Sequence, residues 1–292
     1  MTDGTAAAAV AVVGSANVDL VATVASAPAA GATVLASRYE EEVGGKGLNQ
    51  AVAAARGVPT ALVASVGDDP EARRVREHAR DRGVDVSEVR GAAGSHTGRA
   101  LITLFGGDNA IVVAPLANGL LTAAAVDAAL GRLRPAVVLV QFEIPEDAVE
   151  AAALWCRGAG ARLLVNPSPV RPVAAEVLAL ADPLLVNLGE AAALAGDGAP
   201  GDDGPGLARL LAPRVRSVVV TAGPAGAFVA AGGPVRHVPV PERVEVVDSS
   251  GAGDAFAGHL AARLAAGDDL AAAARAAVAV ATRLVATPRD RR

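Results

Sequence analysis

The sequence predicts an α/β fold, a three-layer α/β/α sandwich with a mainly parallel central sheet and a small β-sheet lid. Three observations carry this. From Thr122 onward, short Val- and Leu-rich runs alternate with Ala-rich helical segments, a pattern that calls for right-handed βαβ crossovers. The first apolar run, Ala7 to Val13, is continuous rather than alternating and stops at Gly14, as expected of a strand buried on both faces. Between residues 16 and 114 there are β-prone pieces that fit no such crossover: Leu20–Val24, Thr33–Tyr39, and a hairpin pattern in which Gly98–Phe105 and Ala110–Val113 flank Gly106-Gly107-Asp108-Asn109. These pieces are assigned to the lid, formed by about residues 16–42 and 97–114 and inserted discontinuously into one domain spanning 1–292.

Taken in order, the first strand leads into Ser15-Ala16-Asn17-Val18-Asp19, and in open α/β sheets ligands bind at such C-terminal strand ends. Asn17 and Asp19 share a face if the chain is extended, and together they offer donors and acceptors suited to hydroxyl groups. A polar turn would read the same way. Glu42 to Gly57 is a Gly-rich turn (Gly44-Gly45-Lys46-Gly47) opening a helix that Gly57 and Pro59 end. It is not a Walker A loop, because Leu48 follows Gly47 where Lys-Ser/Thr chemistry is needed. Lys46 is the only lysine in the chain, all other basic residues being Arg, which suggests a position suited to a compact ammonium.

Further strands are expected at Ala61–Val66, Ala136–Gln141, Arg162–Val165, Leu184–Val186 and Ser217–Val220, with antiparallel edge strands at Phe228–Ala230 and Val235–Val238. Helices are expected from Pro70 to about Arg82, over Thr122–Leu133 and Glu146–Cys156, and shortly after Pro172. Asp197 to Gly206 reads as a loop. Polar residues collect after strand ends: Gln141, Glu143, Asn166 and Asn187. Glu143 suits either a sugar hydroxyl or a helix cap. Asn109 and Asn118 could reach a ligand beneath the lid. Asn187 and Glu190 have the spacing of a capping box; a carboxylate there could equally order hydrated Mg²⁺, which keeps several waters and few protein ligands. Thr221-Ala222-Gly223-Pro224-Ala225-Gly226 is a small-residue loop after a strand, able to cradle phosphate or ribose with its N–H groups.

The most informative stretch is Val247-Asp248-Ser249-Ser250-Gly251-Ala252-Gly253-Asp254. Small residues let successive N–H groups turn toward one point at the start of a long helix, an anion nest where the helix dipole also favours negative charge. Asp254 falls in the first turn. It either complements the dipole or removes a proton from a group beside a bound phosphate.

Composition narrows the class. The chain has 292 residues and net charge −5, with no basic patch suggesting nucleic acid or an anionic membrane surface. Asp3 stands in place of a basic leader region, and the Ala-rich helices carry too many charges for a membrane span. The single cysteine, Cys156, lies in an apolar helical run and is expected to be a buried thiol, consistent with a cytoplasmic location. His78, His96, His237 and His259 lack metal-ligand spacing.

Four of these segments together resemble the PfkB-type sugar kinases, the ribokinase family, over about Val10 to Arg283: Gly14-Ser15-Ala16-Asn17-Val18-Asp19, Gly44 to Ala54, Asn187-x-x-Glu190, and Asp248 to Asp254, with Ser249 where Thr is usual. The resemblance implies phosphoryl transfer from ATP to the primary hydroxyl of a pentose, D-ribose first, giving D-ribose 5-phosphate. It implies Asp254 as general base and Gly251, Ala252 and Gly253 as the anion hole. Asn17, Val18, Asp19, Gly45, Lys46, Gly47, Asn49 and Glu143 would hold the sugar. Asn187 and Thr221 to Gly226, with Gly253 and Asp254, would hold ATP. Glu190 would organise Mg²⁺ through water, and Asp248 and Ser250 would border a monovalent cation. Thr282-Arg283 leads here into Leu284-Val285-Ala286-Thr287-Pro288 rather than the usual Gly-Ala stretch, so K⁺ is left open. The competing readings are a kinase of another sugar or of a nucleoside, and a non-catalytic sugar-binding protein of the same fold. A nucleoside site would want aromatic stacking, and the chain has four Phe, one Tyr and one Trp. A homodimer through the lid edges is a further expectation.

Overall fold

The computed structural model describes residues 8–106, 108–196, 199 and 201–288. Expectations that fall on Met1–Ala7, Gly107, Asp197, Gly198, Pro200 and the last four residues lie outside these.

The main sheet has ten strands. Its central strand β1 (Val10–Val13) is fully buried and pairs in parallel with β4 (Thr60–Val66) and β9 (Val137–Gln141). From β9 the order runs outward through β10 (Arg162–Asn166), β11 (Ala181–Asn187) and β12 (Val218–Thr221), all parallel, to the antiparallel edge pair β13 (Ala227–Ala230) and β14 (Arg236–Val238). On the other side, short strands β5 (Val84–Asp85) and β6 (Val89–Gly91) both pair with β4; neither was expected from the sequence, being too short to show a period.

Alternate residues of these strands feed two cores. One lies beneath α1 (Lys46–Ala55), α2 (Pro70–Arg80), α8 (Ala252–Ala265) and α9 (Leu270–Val285). The other lies beneath α3 (Ala123–Leu133), α4 (Glu146–Ala159), α5 (Ala175–Leu180), α6 (Leu188–Ala195) and α7 (Gly204–Leu211). Ala and Val fill both, so helices pack close to the sheet with few aromatic wedges. Cys156 is buried in the second core, and burial pushes its thiol up to about 12. Among the described residues no helix is long and apolar enough to cross a membrane.

The small sheet has four strands in the order β3 (Arg38–Gly44), β2 (Asn17–Thr23), β7 (Gly98–Phe105), β8 (Asp108–Ala114). Two expectations are corrected here. The strand placed at Thr33–Tyr39 instead runs Arg38–Gly44, pairing Glu42 with Asp19; the apolar Val34 and Leu35 sit in an exposed loop, Leu35 at 90% exposure. The acidic run is tolerated because this edge strand is largely solvated, so β-propensity yields to cross-strand pairing. The segment read as a loop from Asp197 to Gly206 already contains the start of α7, where Asp203 caps through Gly206 N–H and Leu207, Ala208 and Leu211 are buried.

Candidate active site

The C-terminal ends of β1, β9, β10, β11 and β12 and the N-termini of α1, α6 and α8 meet at one cleft. It is lined by Lys46, Asn166, Asn187, Glu190, Thr221, Gly251, Gly253 and Asp254, together with Ser168 and Phe256. Helix starts have N–H groups without intrahelical partners, so three of them facing one cleft favour an anion.

At the start of α8, Gly251 takes the left-handed conformation (φ 73°) that lets the chain turn into the helix. Asp248 accepts from Ser250 N–H at 2.8 Å, and Val247 and Asp248 N–H both donate to the Val285 carbonyl at the end of α9. Just before this loop Val246 and Val247 are more than half exposed, and the segment is held through its backbone.

Asp254 comes one turn into the cleft. The i, i+3, i+4 spacing of Lys46, Asn49 and Gln50 puts all three on one face of α1, toward it. Burial raises the Asp254 carboxyl above the usual aspartate range. Lys46 opposes this through its charge, as do hydrogen bonds from Gln50 and Asn49, while Glu143 adds to the rise. Gln50 Nε2 donates to Asp254 Oδ1 at 2.9 Å. A carboxylate whose proton affinity is raised by burial in a cleft suits a general base.

A second polar cluster lies where β1 passes into the small sheet. Ser15, fully buried, donates to Glu143 Oε2 at 2.5 Å and accepts from Gly47 N–H, and Lys46 N–H reaches the same carboxylate oxygen at 3.4 Å. Asn17 and Asp19 share one face of β2, as expected. The Asn17 carboxamide oxygen accepts from Asn118 Nδ2 at 2.7 Å, and Asn118 Oδ1 accepts from Ala16 N–H at 2.9 Å. Asn118, on a short 3-10 turn (Leu116–Leu120), is thus committed to holding Asn17. Gly45, of positive φ, joins β3 to α1 and packs against the backbone of Ala16 and Asn17.

Some expected residues do not gather here. Val18 is buried at 1% exposure on the opposite face of β2, and its backbone sits between β3 and β7. Asn109 pairs with Leu104 near the hairpin tip, six residues along β7 from Gly98, and is exposed. Beyond Thr221, residues Gly223–Ala225 form an exposed 3-10 turn at the rim, and Gly226 is buried against Val238 with no room for a side chain. Asn187 and Glu190 make the complete capping box, at 2.8 and 3.0 Å, while both line the cleft.

Among the described residues no three His, Cys, Asp or Glu side chains converge to hold a bare ion. A hydrated Mg²⁺ needs few protein ligands, and Glu190, beside the nests of α6 and α8, has the chemistry for it. For a monovalent cation, Asp248 supplies a carboxylate, and the Val285 carbonyl beside it already accepts two N–H groups. Ser15, Gln141 and Asn166 stand out in the sequence as polar residues after strand ends but carry no assigned role there, and Gln50 is passed over. Their polarity in otherwise apolar or helical stretches was the available signal.

Residues 7–291 match the family described as pfkB family carbohydrate kinase. Ribokinase of Bacillus subtilis (strain 168) is 36% identical over 267 residues, covering 90% of this chain and 88% of its own length. Deoxyribokinase of Salmonella typhi is 31% identical over 277 residues, covering 92% and 90%. The solved structure of Arabidopsis thaliana ribokinase complexed with ribose and ATP superposes with a TM-score of 0.86 at 27% identity, covering 97% of this chain and 94% of that one. The chain belongs to the pfkB family of ATP-dependent carbohydrate kinases.

Proposed function

We propose that this kinase transfers the γ-phosphoryl group of ATP to the primary hydroxyl of a pentose, D-ribose first, giving D-ribose 5-phosphate. The observation that carries the reading is Asp254. Its carboxylate stands at the start of α8 between the α1 polar face and the Gly251–Gly253 turn, with its proton affinity raised by burial. In this reading Asp254 takes the proton of the acceptor hydroxyl as the hydroxyl oxygen attacks phosphorus. The Gly251, Ala252 and Gly253 N–H groups receive the charge that develops on the phosphoryl oxygens.

Asn17, Asp19, Lys46, Asn49 and Glu143 bind the sugar hydroxyls and orient the reacting one, with Gly45 and Gly47 allowing close backbone approach. Asn187 and Thr221 hold the nucleotide, with the exposed Gly223–Ala225 turn at the rim beside it. Mg²⁺ bound to the phosphates would neutralise their charge, with Glu190 ordering its water shell. The small sheet excludes water from the sugar, which limits wasteful ATP hydrolysis.

Identity to a ribokinase supports ribose; the comparable identity to a deoxyribokinase keeps 2-deoxyribose in the panel. A nucleoside is disfavoured. Phe142 and Phe256 are buried, Phe228 is stacked on His237, and Phe105 is at the lid hairpin, so little is left to sandwich a base. Two copies meeting through the lid is part of the proposal, supported by Leu101 and Val112, which are 49% and 65% exposed on one lid face. A monomeric mass by light scattering at micromolar protein would overturn it.

The test is coupled ADP release with Mg-ATP against D-ribose, 2-deoxyribose, other pentoses, hexoses and nucleosides, with and without K⁺, beside Asp254→Asn. Ribose-dependent turnover lost in the variant is expected. Saturable sugar binding by calorimetry without turnover on any substrate would overturn the reading.

A further inference from the structure

Gln50 is fully buried one helical turn past Lys46, and a carboxamide there must satisfy its oxygen and both its N–H groups or incur a desolvation penalty. It satisfies all three. Its Oε1 accepts from Gln141 Nε2 at 2.6 Å, and its Nε2 donates to Asn166 Oδ1 at 3.0 Å and to Asp254 Oδ1 at 2.9 Å. Asn166 is itself oriented, donating Nδ2 to the Leu185 carbonyl at 3.1 Å. The chain of bonds has one sense. Because Asn166 Nδ2 donates to a main-chain carbonyl, its Oδ1 must accept, so the Gln50 NH₂ faces Asn166 and Asp254 and its oxygen faces Gln141. Gln141 keeps an Oε1 with no hydrogen-bond partner among the described residues. A leucine at the end of β9 would avoid that orphan, so the position is explained by the donor it gives Gln50.

The backbone fixes the same pair. Gly258, one turn after Asp254 on α8, packs directly on the Gln50 carbonyl of α1, so the two helices cross at contact distance just where the side chains meet.

We propose that Gln50, locked by Gln141 and Asn166, is a positioning residue for Asp254: it binds one carboxylate oxygen and leaves the other to face the acceptor hydroxyl. A base that must meet one hydroxyl in line with phosphorus gains from losing its rotational freedom before substrate arrives. This deepens the function proposed above and rests on it.

The test compares kcat, sugar KM and the pH dependence of kcat for wild type, Gln50→Met, Gln141→Met and Asp254→Asn. Methionine keeps the volume and removes the donor. For Gln50→Met, kcat is expected to fall about 10–100-fold, with sugar KM changed less than about threefold. The acid limb of the kcat profile is expected to move to higher pH, since a donor that favours the charged carboxylate has gone. Gln141→Met is expected to show the same two changes at smaller size, and it decides the matter if Gln50→Met does not fold. An active wild type with a silent Asp254→Asn, beside methionine variants that match wild type in kcat and acid limb, overturns the positioning role and leaves the reading of the site standing. A wild type without sugar-dependent turnover removes both.

Discussion

Gly258 and the Gln50 carbonyl meet where α8 crosses α1: a Cβ added at 258 would stand 2.2 Å from that oxygen and 2.6 Å from Ala53 Cβ. Gly258→Ala must therefore push the helices apart. The expected cost is about 1–3 kcal/mol in a urea titration. A drop in kcat should accompany it, because the Gln50–Asp254 bond spans the same crossing. An unchanged midpoint would mean that α8 can slide freely.

Gly98, the first residue of β7, permits a different contact. A Cβ there would lie 2.1 Å from Asn118 Nδ2 and 2.3 Å from Asn17 Oδ1. Gly98→Ala should break the bond between the two asparagines and let Asn17 turn. Loss of one sugar hydrogen bond is worth about 1 kcal/mol, roughly fivefold in sugar KM. The nucleotide KM should stay near wild type, and initial-rate kinetics on both substrates distinguishes the two.

Glu190 can cap α6 and serve Mg²⁺ at once, and two substitutions separate these roles. Glu190→Gln keeps a side-chain acceptor for the Asn187 N–H, so the melting midpoint should change by less than about 2 °C. Its kcat should fall and the Mg²⁺ concentration for half-maximal rate should rise. Asn187→Ala should instead cost about 1 kcal/mol of stability. Equal Mg²⁺ dependence in wild type and Glu190→Gln would restrict Glu190 to capping.

Asp254 carries a prediction of opposite sign for stability and activity. Because burial raises its carboxyl above the usual range, the folded chain binds that proton more tightly than the unfolded chain. The ionised group therefore opposes folding at neutral pH, and this opposition fades as pH falls through the raised value. Asp254→Asn should melt about 1–3 °C higher at pH 7 while losing about 10²–10⁴-fold in kcat. The stability gain should shrink toward acid pH. In the wild type, kcat should fall with acidification at a pH above that of an ordinary aspartate.

Much of this architecture was legible because buried parallel strands advertise themselves. Val10–Val13 and Val137–Val140 are continuous apolar runs, and a helical period follows most of the strands from β9 onward. The Gly251–Asp254 turn and the Asn187–Glu190 box were legible for a related reason: small or capping residues at fixed offsets have few other causes. The lid was harder. Its edge strand carries three successive glutamates, and the local pattern favoured the wrong seven residues, because solvated strands are specified by partners far away in sequence. Gln50, Gln141 and Asn166 were illegible in their roles for the same reason. They are 91 and 116 residues apart along the chain and acquire meaning only when β9, β10 and α1 converge.

The small sheet is also a lever. Its fulcrum is at Asn17, Gly44 and Gly98, where the strands leave the body, and its tip is at Phe105 and Asp108. Seven residues of extended chain separate the two ends, a span of about 23 Å. A rotation of about ten degrees at the base would sweep the tip through about 4 Å while displacing Asp19, two residues from the fulcrum, by only about 1 Å. Asp19, which the proposed function assigns to the sugar, therefore rides on the slow end of the arm, and the hairpin tip rides on the fast end. A spectroscopic label at the hairpin tip would register any such rotation with severalfold gain while leaving Asn17 and Asp19 untouched.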